Sequence, residues 1–276
     1  MNKDAGRGGP LIVTVRLENG EKLPMMVDTG CPFTTLDKSL EPKLGKCVSP
    51  YTIWMWGVKT ESGLYGAPKL YLGNTLLKMT GPYVAVYDFK QISNETGYRI
   101  MGFLGMDVLE HYCIQLDFNA SKIRFLDPDR LNPTGLGKAF FLTLSSEGQS
   151  DKENVSPFIH CDTLIGGKNT AMLIDTGCRF DGTLESKLFQ QEVLKHKLQV
   201  AQAFTGGWVQ KCVWNDETYS NLWIGDGGIN RSNGNGGNAI GLEFLARHLV
   251  TFNFPKRMMY LKQTSVGPLL TNENSK

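Results

Sequence analysis

The chain has 276 residues, 41% of them hydrophobic and 20% charged, with a formal net charge of +2, so it can bury a substantial core and creates no strong field. Lys and Arg do not cluster among aromatics as a nucleic-acid surface requires, and no stretch approaches the roughly 20 consecutive apolar residues that cross a bilayer. Its 31 glycines are spread along the chain, which suits short strands and tight turns and favours an all-β fold with short helices.

Met1 to Gly9 (MNKDAGRGG) reads as a flexible start without an apolar signal core; a secreted or periplasmic setting is the expectation, with the signal absent from this sequence. Leu11 to Cys31 (LIVTVRLENGEKLPMMVDTGC) is a hairpin: an apolar strand, an Asn19-Gly20 turn and a second strand running into Asp-Thr-Gly-Cys. Phe158 to Cys178 (FIHCDTLIGGKNTAMLIDTGC) repeats that grammar at a constant offset, 175 − 28 = 147. Tyr51 to Tyr65 (YTIWMWGVKTESGLY) reads as a further hairpin, followed by the strand Lys69 to Leu72. Gly102 to Phe118 (GFLGMDVLEHYCIQLDF) and Asn238 to Phe254 (NAIGLEFLARHLVTFNF) form a second matched pair at 241 − 105 = 136, each an apolar-apolar-Gly, a short helix and an alternating strand. The halves are therefore residues 10–131 and 140–263, joined by a linker at 132–139 and followed by a loose tail at 264–276. Leu184 to Leu198 is the best helix candidate, and Ser145 to Pro157 reads as a polar surface loop.

Asp-Thr-Gly in an apolar strand with apolar-apolar-Gly downstream, present twice, resembles the pepsin and retropepsin superfamily of aspartic peptidases. The chain looks like two retropepsin-like units fused into one internally duplicated, two-lobed acid protease barrel. The resemblance implies an aspartic endopeptidase that hydrolyses peptide bonds of an extended peptide or protein substrate, needs no cofactor or metal, and is active as a monomer because one chain supplies both turns. Asp28 and Asp175 would be the catalytic pair. Two close carboxyls supply both the base that activates water and the acid that protonates the leaving nitrogen, sharing one proton because they cannot both ionise comfortably. Thr29 and Thr176 would bond across the lobe interface, and Gly30 and Gly177 would let backbone approach the carboxyls. Phe103-Leu104-Gly105 and Ala239-Ile240-Gly241 would support the turns from behind.

Two departures stand out. Cys31 and Cys178 occupy positions where the superfamily usually has Ser, Thr or Ala, and a thiol donates more weakly than a hydroxyl, so the pair is expected to work in the mildly acidic range. Met106 and Leu242 stand where retroviral enzymes place an ion-paired Arg. Two flaps over the cleft are implied, with Trp54, Trp56 and Gly57 near one tip and Gly206, Gly207 and Trp208 at the other.

Among competing chemistries, G-x-S-x-G and H-E-x-x-H are absent, His111 and His248 read as structural, and Gly225 to Gly241 lacks the lysine of a phosphate loop. The six cysteines show no C-x-x-C spacing, which argues against a metal site. Two alternatives stay open: a catalytically silent peptide-binding protein, and a thiol-dependent function through Cys31 or Cys178.

Overall fold

The structure, a computed structural model, describes residues 1–55, 58–145, 158–165, 168–195, 199–200, 206–227 and 237–270. Its first hairpin shows how alternation becomes structure. Strand β1 (Ile12–Leu17) pairs antiparallel with β2 (Lys22–Val27), setting Val13 against Met25 and Val15 against Leu23. All four are buried on one face, each contributing roughly 1.5–3 kcal/mol of transfer free energy. Gly20 closes the turn at φ 86°, where a Cβ would be strained.

The first lobe continues through β3 (Thr35–Asp37), α1 (Glu41–Leu44), β4 (Ser49–Met55), β5 (Val58–Gly66), β6 (Leu70–Leu72), β7 (Thr75–Leu76), β8 (Tyr83–Tyr87), α2 (Lys90–Thr96), β9 (Gly102–Leu104) and α3 (Met106–Leu109). Its sheet runs β4-β5-β8-β3-β9-β2-β1-β6-β7. After β10 (Cys113–Asp117), β11 (Lys122–Leu126) and β12 (Lys138–Phe141), the second lobe follows. It comprises β13 (Thr143–Ser145), β14 (Phe158–Ile165), β15 (Lys168–Ile174), β16 (Gly182–Leu184), α4 (Ser186–Leu194), β17 (Gln199–Val200), β18 (Gly206–Trp214), β19 (Glu217–Asp226), β20 (Ala239–Ile240) and α5 (Leu242–Ala246). Strands β21 (His248–Asn253) and β22 (Met258–Gln263) then return to a shared sheet ordered β11-β10-β21-β22-β12.

The repeat is visible in the pairing. Strand β2 lies parallel to β9 as β15 does to β20, and β3 lies parallel to β8 as β16 does to β19. In the shared sheet Gln115 pairs with Thr251, its own counterpart since 251 − 115 = 136, and donates to its hydroxyl at 3.1 Å. A pseudo-twofold axis therefore passes between these residues. The first lobe is longer because residues 67–82 detour through β6 and β7 between β5 and β8, whereas Asn215 and Asp216 alone join β18 to β19.

Four expectations are corrected. Residues 1–9 are packed: Ala5 is 1% exposed, Gly6 lies against Ala246 and Phe118, and the Met1 amine donates to Ser121 O at 3.2 Å. The end of the linker, Lys138 and Ala139, is already strand β12 against β22. The tail is tied at its start, where Thr264 N and Ser265 N donate to Arg247 O at 2.8 and 3.1 Å; residues 271–276 lie outside the described residues. The expected helix is shortened to α4, and residues 146–157 of the polar loop lie outside the description.

Candidate active site

Each lobe's second hairpin strand delivers its aspartate in the same way. Strands β2 and β9 run side by side, so Asp28 N donates to Leu104 O at 3.1 Å; in the other lobe Asp175 N donates to Ile240 O at 2.9 Å. The chain then folds back, with Cys31 N and Cys178 N each donating to the preceding aspartate's carbonyl at 3.2 Å. Met106 N bonds Cys31 O at 2.8 Å and Leu242 N bonds Cys178 O at 2.7 Å, so both apolar-apolar-Gly elements brace the turns.

Four hydrogen bonds lock the turns together. Thr29 Oγ1 donates to Ile174 O at 2.7 Å and accepts from Thr176 N at 3.0 Å, while Thr176 Oγ1 donates to Val27 O at 2.8 Å and accepts from Thr29 N at 3.0 Å. Both threonines are buried, so this reciprocal set fixes the separation of the two turns. Each carboxyl then faces the opposite turn's glycine. A Cβ on Gly30 would stand 2.6 Å from Asp175 Cγ, and one on Gly177 would stand 2.6 Å from Asp28 Oδ2. Only glycine permits that approach.

The inner oxygens are held by backbone: Gly30 N to Asp28 Oδ1 at 2.9 Å, Gly177 N to Asp175 Oδ1 at 2.8 Å, and Cys178 N to Asp175 Oδ1 at 3.0 Å. Burial pushes the Asp28 carboxyl well above the usual carboxylate range, the facing Asp175 adds to it, and the N–H groups of Gly30 and Cys31 oppose it. Such a pair titrates as a unit. Both thiols turn away from it. Cys31 Sγ donates to Phe33 O at 3.1 Å, and burial followed by the Asp175 charge pushes Cys178 up to about 12. Burial likewise holds the Cys31 thiol well above its ordinary value, so neither cysteine supplies a thiolate near neutral pH.

No protein-family model matches the chain, and no curated protein matches it by sequence. Among solved structures it aligns with an aspartic proteinase from Irpex lacteus over 95% of its own length and 96% of that chain, with a TM-score of 0.57 at 12% identity. The chain has the pepsin-like aspartic peptidase fold. Basic 7S globulin from soybean aligns comparably, over 92% of this chain and 91% of its own, with a TM-score of 0.56 at 12% identity. A pepsin-like fold thus joins proteins named for different roles, and activity has to be argued from the site.

Beyond the turns, this chain of pepsin-like fold carries two braces that the motifs did not reveal. In the first lobe Asp107 Oδ1 accepts from Thr34 N at 2.9 Å and Thr34 Oγ1 at 2.6 Å, and Thr34 Oγ1 accepts from Gly105 N at 3.1 Å. In the second lobe Arg247 binds Asp181 through Nε at 2.9 Å and Nη2 at 3.0 Å, both side chains being buried. The offsets make the positions equivalent, since 181 − 34 = 147. The Arg absent at Met106 and Leu242 is thus replaced, in one lobe, by an Arg further along.

Burial raises Asp107 to about 7 against the opposing Thr34 bonds, and its Oδ2 has no partner among the described residues. A raised folded pKa means that its stability contribution is complete below the ordinary carboxylate range and is lost as pH rises toward about 7. Asp107→Asn keeps the acceptor for Thr34 and cannot ionise. Its Tm should match the wild type in strong acid and exceed it at alkaline pH by at least about 2 °C, the shift that roughly 1 kcal/mol gives a chain of this size. A lower Tm at alkaline pH would reject this account.

The flap residues fare unequally. Strands β4 and β5 form the expected first hairpin, with Met55 opposite Val58; Trp56, Gly57 and the Trp54 side chain lie outside the described residues. Gly206, Gly207 and Trp208 are not a tip. They begin strand β18, with Trp208 opposite Gln199 and Gly207 opposite Val200 of β17, and residues 201–205 between those two strands lie outside the described residues; at its far end β18 turns into β19 at Asn215-Asp216, both at positive φ. Lys138 Nζ holds this turn through Asn215 O and Asp216 Oδ2, so it rests on the shared sheet.

Proposed function

We propose that this chain is an aspartic endopeptidase in which Asp28 and Asp175 together activate water against a peptide bond. The observation that carries the reading is the locked pair: two carboxyls, each against the other turn's glycine, held there by reciprocal threonine bonds. In the resting pair one carboxyl is neutral and one ionised. The ionised carboxylate takes a proton from the water as its oxygen attacks the scissile carbonyl carbon, while the neutral carboxyl gives its proton to the carbonyl oxygen. The gem-diol that results collapses when the newly protonated carboxyl passes its proton to the nitrogen, the other carboxylate takes a proton from a gem-diol hydroxyl and the C–N bond breaks, leaving one acid, one amine and the pair sharing one proton again. One chain supplies both turns, so a monomer suffices.

The silent peptide-binding reading keeps one support, the likeness to a protein named as a globulin. Burial, which pushes both thiols above their ordinary value, weighs against the thiol reading. Incubation with a denatured protein mixture from strongly acidic to mildly alkaline pH separates these. The expected result is cleavage greatest in the mildly acidic range, because burial raises the Asp28 carboxyl, blocked by a statine-type mimic of the gem-diol and unchanged by thiol alkylation. Saturable peptide binding with no turnover at any pH would give the site to the silent reading.

A further inference from the structure

The shared sheet is covered at one edge and open at the other. Strands β11 and β22 are repeat counterparts, since 258 − 122 = 136, and each pairs on its inner side with a matching strand, Ile123 with Leu116 and Met259 with Phe252. On its outer side β22 carries β12, with Phe140 opposite Met259 and Lys138 opposite Leu261, and both of these β22 residues are fully buried. Among the described residues no strand pairs with the outer side of β11. The counterparts of Met259 and Leu261 are Ile123 and Phe125. Ile123 is half-buried against the core, and Phe125 is 36% exposed, its ring 5.0 Å edge-on from Tyr112. One lobe therefore leaves open the apolar residues and the row of backbone donors and acceptors that the other lobe covers with a strand.

Charges that point off a sheet edge guard it against pairing, and the central charge of β11 does not. Arg124 leans inward across β10, donating to Asp117 Oδ2 through Nη1 and Nη2 at 3.1 Å and to Gln115 Oε1 at 3.2 Å. What remains of the strand is its own complement. An antiparallel copy centred on Arg124 sets Ile123 opposite Phe125 twice, since 123 + 125 = 2 × 124, and sets Lys122 opposite Leu126, beside Asp127. A strand that begins on a cation and ends on an anion brings opposite charges together at both ends of such a pair.

We propose that β11 is the contact through which two copies of this chain associate, antiparallel about a twofold axis at Arg124, so that their shared sheets join into one. The occupant is a second copy because the edge needs a short strand that is apolar at alternate positions and reversed in charge order, and an antiparallel β11 is that strand. A contact of this kind is isologous and closes at two subunits. Each copy keeps both aspartate turns, so the association is separate from the chemistry proposed for Asp28 and Asp175, for which a monomer suffices.

The test is molar mass by light scattering and sedimentation from low micromolar to near-millimolar protein, over which the wild type should pass from monomer to dimer. Phe125→Lys should weaken association by at least about tenfold, because a twofold contact counts the change twice and sets each new charge against Ile123. Lys122→Glu should weaken it as well, and Lys122→Glu with Asp127→Lys, which reverses the charge order, should restore it. A Cys47→Ser background removes the exposed thiol. In it Arg124→Cys should give a disulfide-linked dimer on mild oxidation and Lys122→Cys should not, because only directly opposed residues bring their Cα atoms within disulfide reach. A chain that stays monomeric at every concentration overturns the proposal, whether the edge stays bare or another segment of the chain covers it. A dimer that survives Phe125→Lys, or one that gives no Arg124→Cys cross-link, overturns it too, since the contact then lies elsewhere or in another register. If circular dichroism shows Phe125→Lys to be misfolded, the charge reversal and the cross-link decide.

Discussion

Asp28→Asn and Asp175→Asn are each expected to lower kcat by about two to four orders of magnitude, the contribution of a positioned general acid or base. Asparagine keeps an oxygen for the Gly30 or Gly177 N–H and leaves all four threonine bonds in place, so the turns hold their geometry. The two functions of the pair are coupled, and losing either member removes both the shared proton and the charge that takes water's proton. Stability should move the other way. The Asp28 carboxyl is strained first by burial and then by facing Asp175, so a neutral amide relieves both above the ordinary carboxylate range. A variant with almost no turnover and an equal or higher Tm near neutral pH, read with a quenched peptide and by thermal unfolding, is the expected pattern. Turnover that survives either substitution would remove that aspartate from the chemistry.

The features legible in the sequence were those written twice. The Asp-Thr-Gly-Cys turns, their hairpins and the apolar-apolar-Gly elements recur at fixed offsets, and the structure places each pair about one pseudo-twofold axis. Gly206 and Gly207 carry the composition of a turn, yet they stand in strand β18 paired to β17, beside residues 201–205, which lie outside the described residues. There Gly206 makes room for Trp223, and the turn at the far end of β18 uses Asn215 and Asp216, residue types that tolerate positive φ. Arg247 escaped because its partner Asp181 is distant in sequence and the first lobe solves the same problem differently, with Thr34 and Asp107. One signal was available: an arginine closing a short helix whose residues other than Glu243 are buried apolar side chains has to find a buried acid. The burial of the segment around Ala5 left no trace in the sequence pattern, since its small and polar residues read as a loop until Phe118 and Ala246 are brought against it.

Arg247 carries the largest expected effect on folding. Its side chain is fully buried, and besides Asp181 it donates to Ser220 O at 2.6 Å, Val266 O at 3.0 Å and Asn221 O at 3.0 Å. One guanidinium thus joins the turn beyond Asp175, strand β19 and the segment after β22, using donors set in a fork that lysine lacks. Arg247→Met should cost about 3–5 kcal/mol, because it leaves the buried Asp181 carboxylate without its counter-ion, with only the Trp223 N–H to hold it, and takes a charged donor from three carbonyls. Asp181 already sits at about 6, raised by burial although Arg247 opposes the rise, so without the arginine it takes up its proton at still higher pH. The loss of stability should therefore be smaller in acid and larger as pH rises past about 6, which urea unfolding followed by tryptophan fluorescence can measure. Arg247→Met combined with Asp181→Leu should recover part of the loss, since the buried charge is then gone, while Arg247→Lys should recover little. A single Arg247→Met variant losing less than about 1 kcal/mol would show that the second turn is held by the threonine bonds and the shared sheet alone.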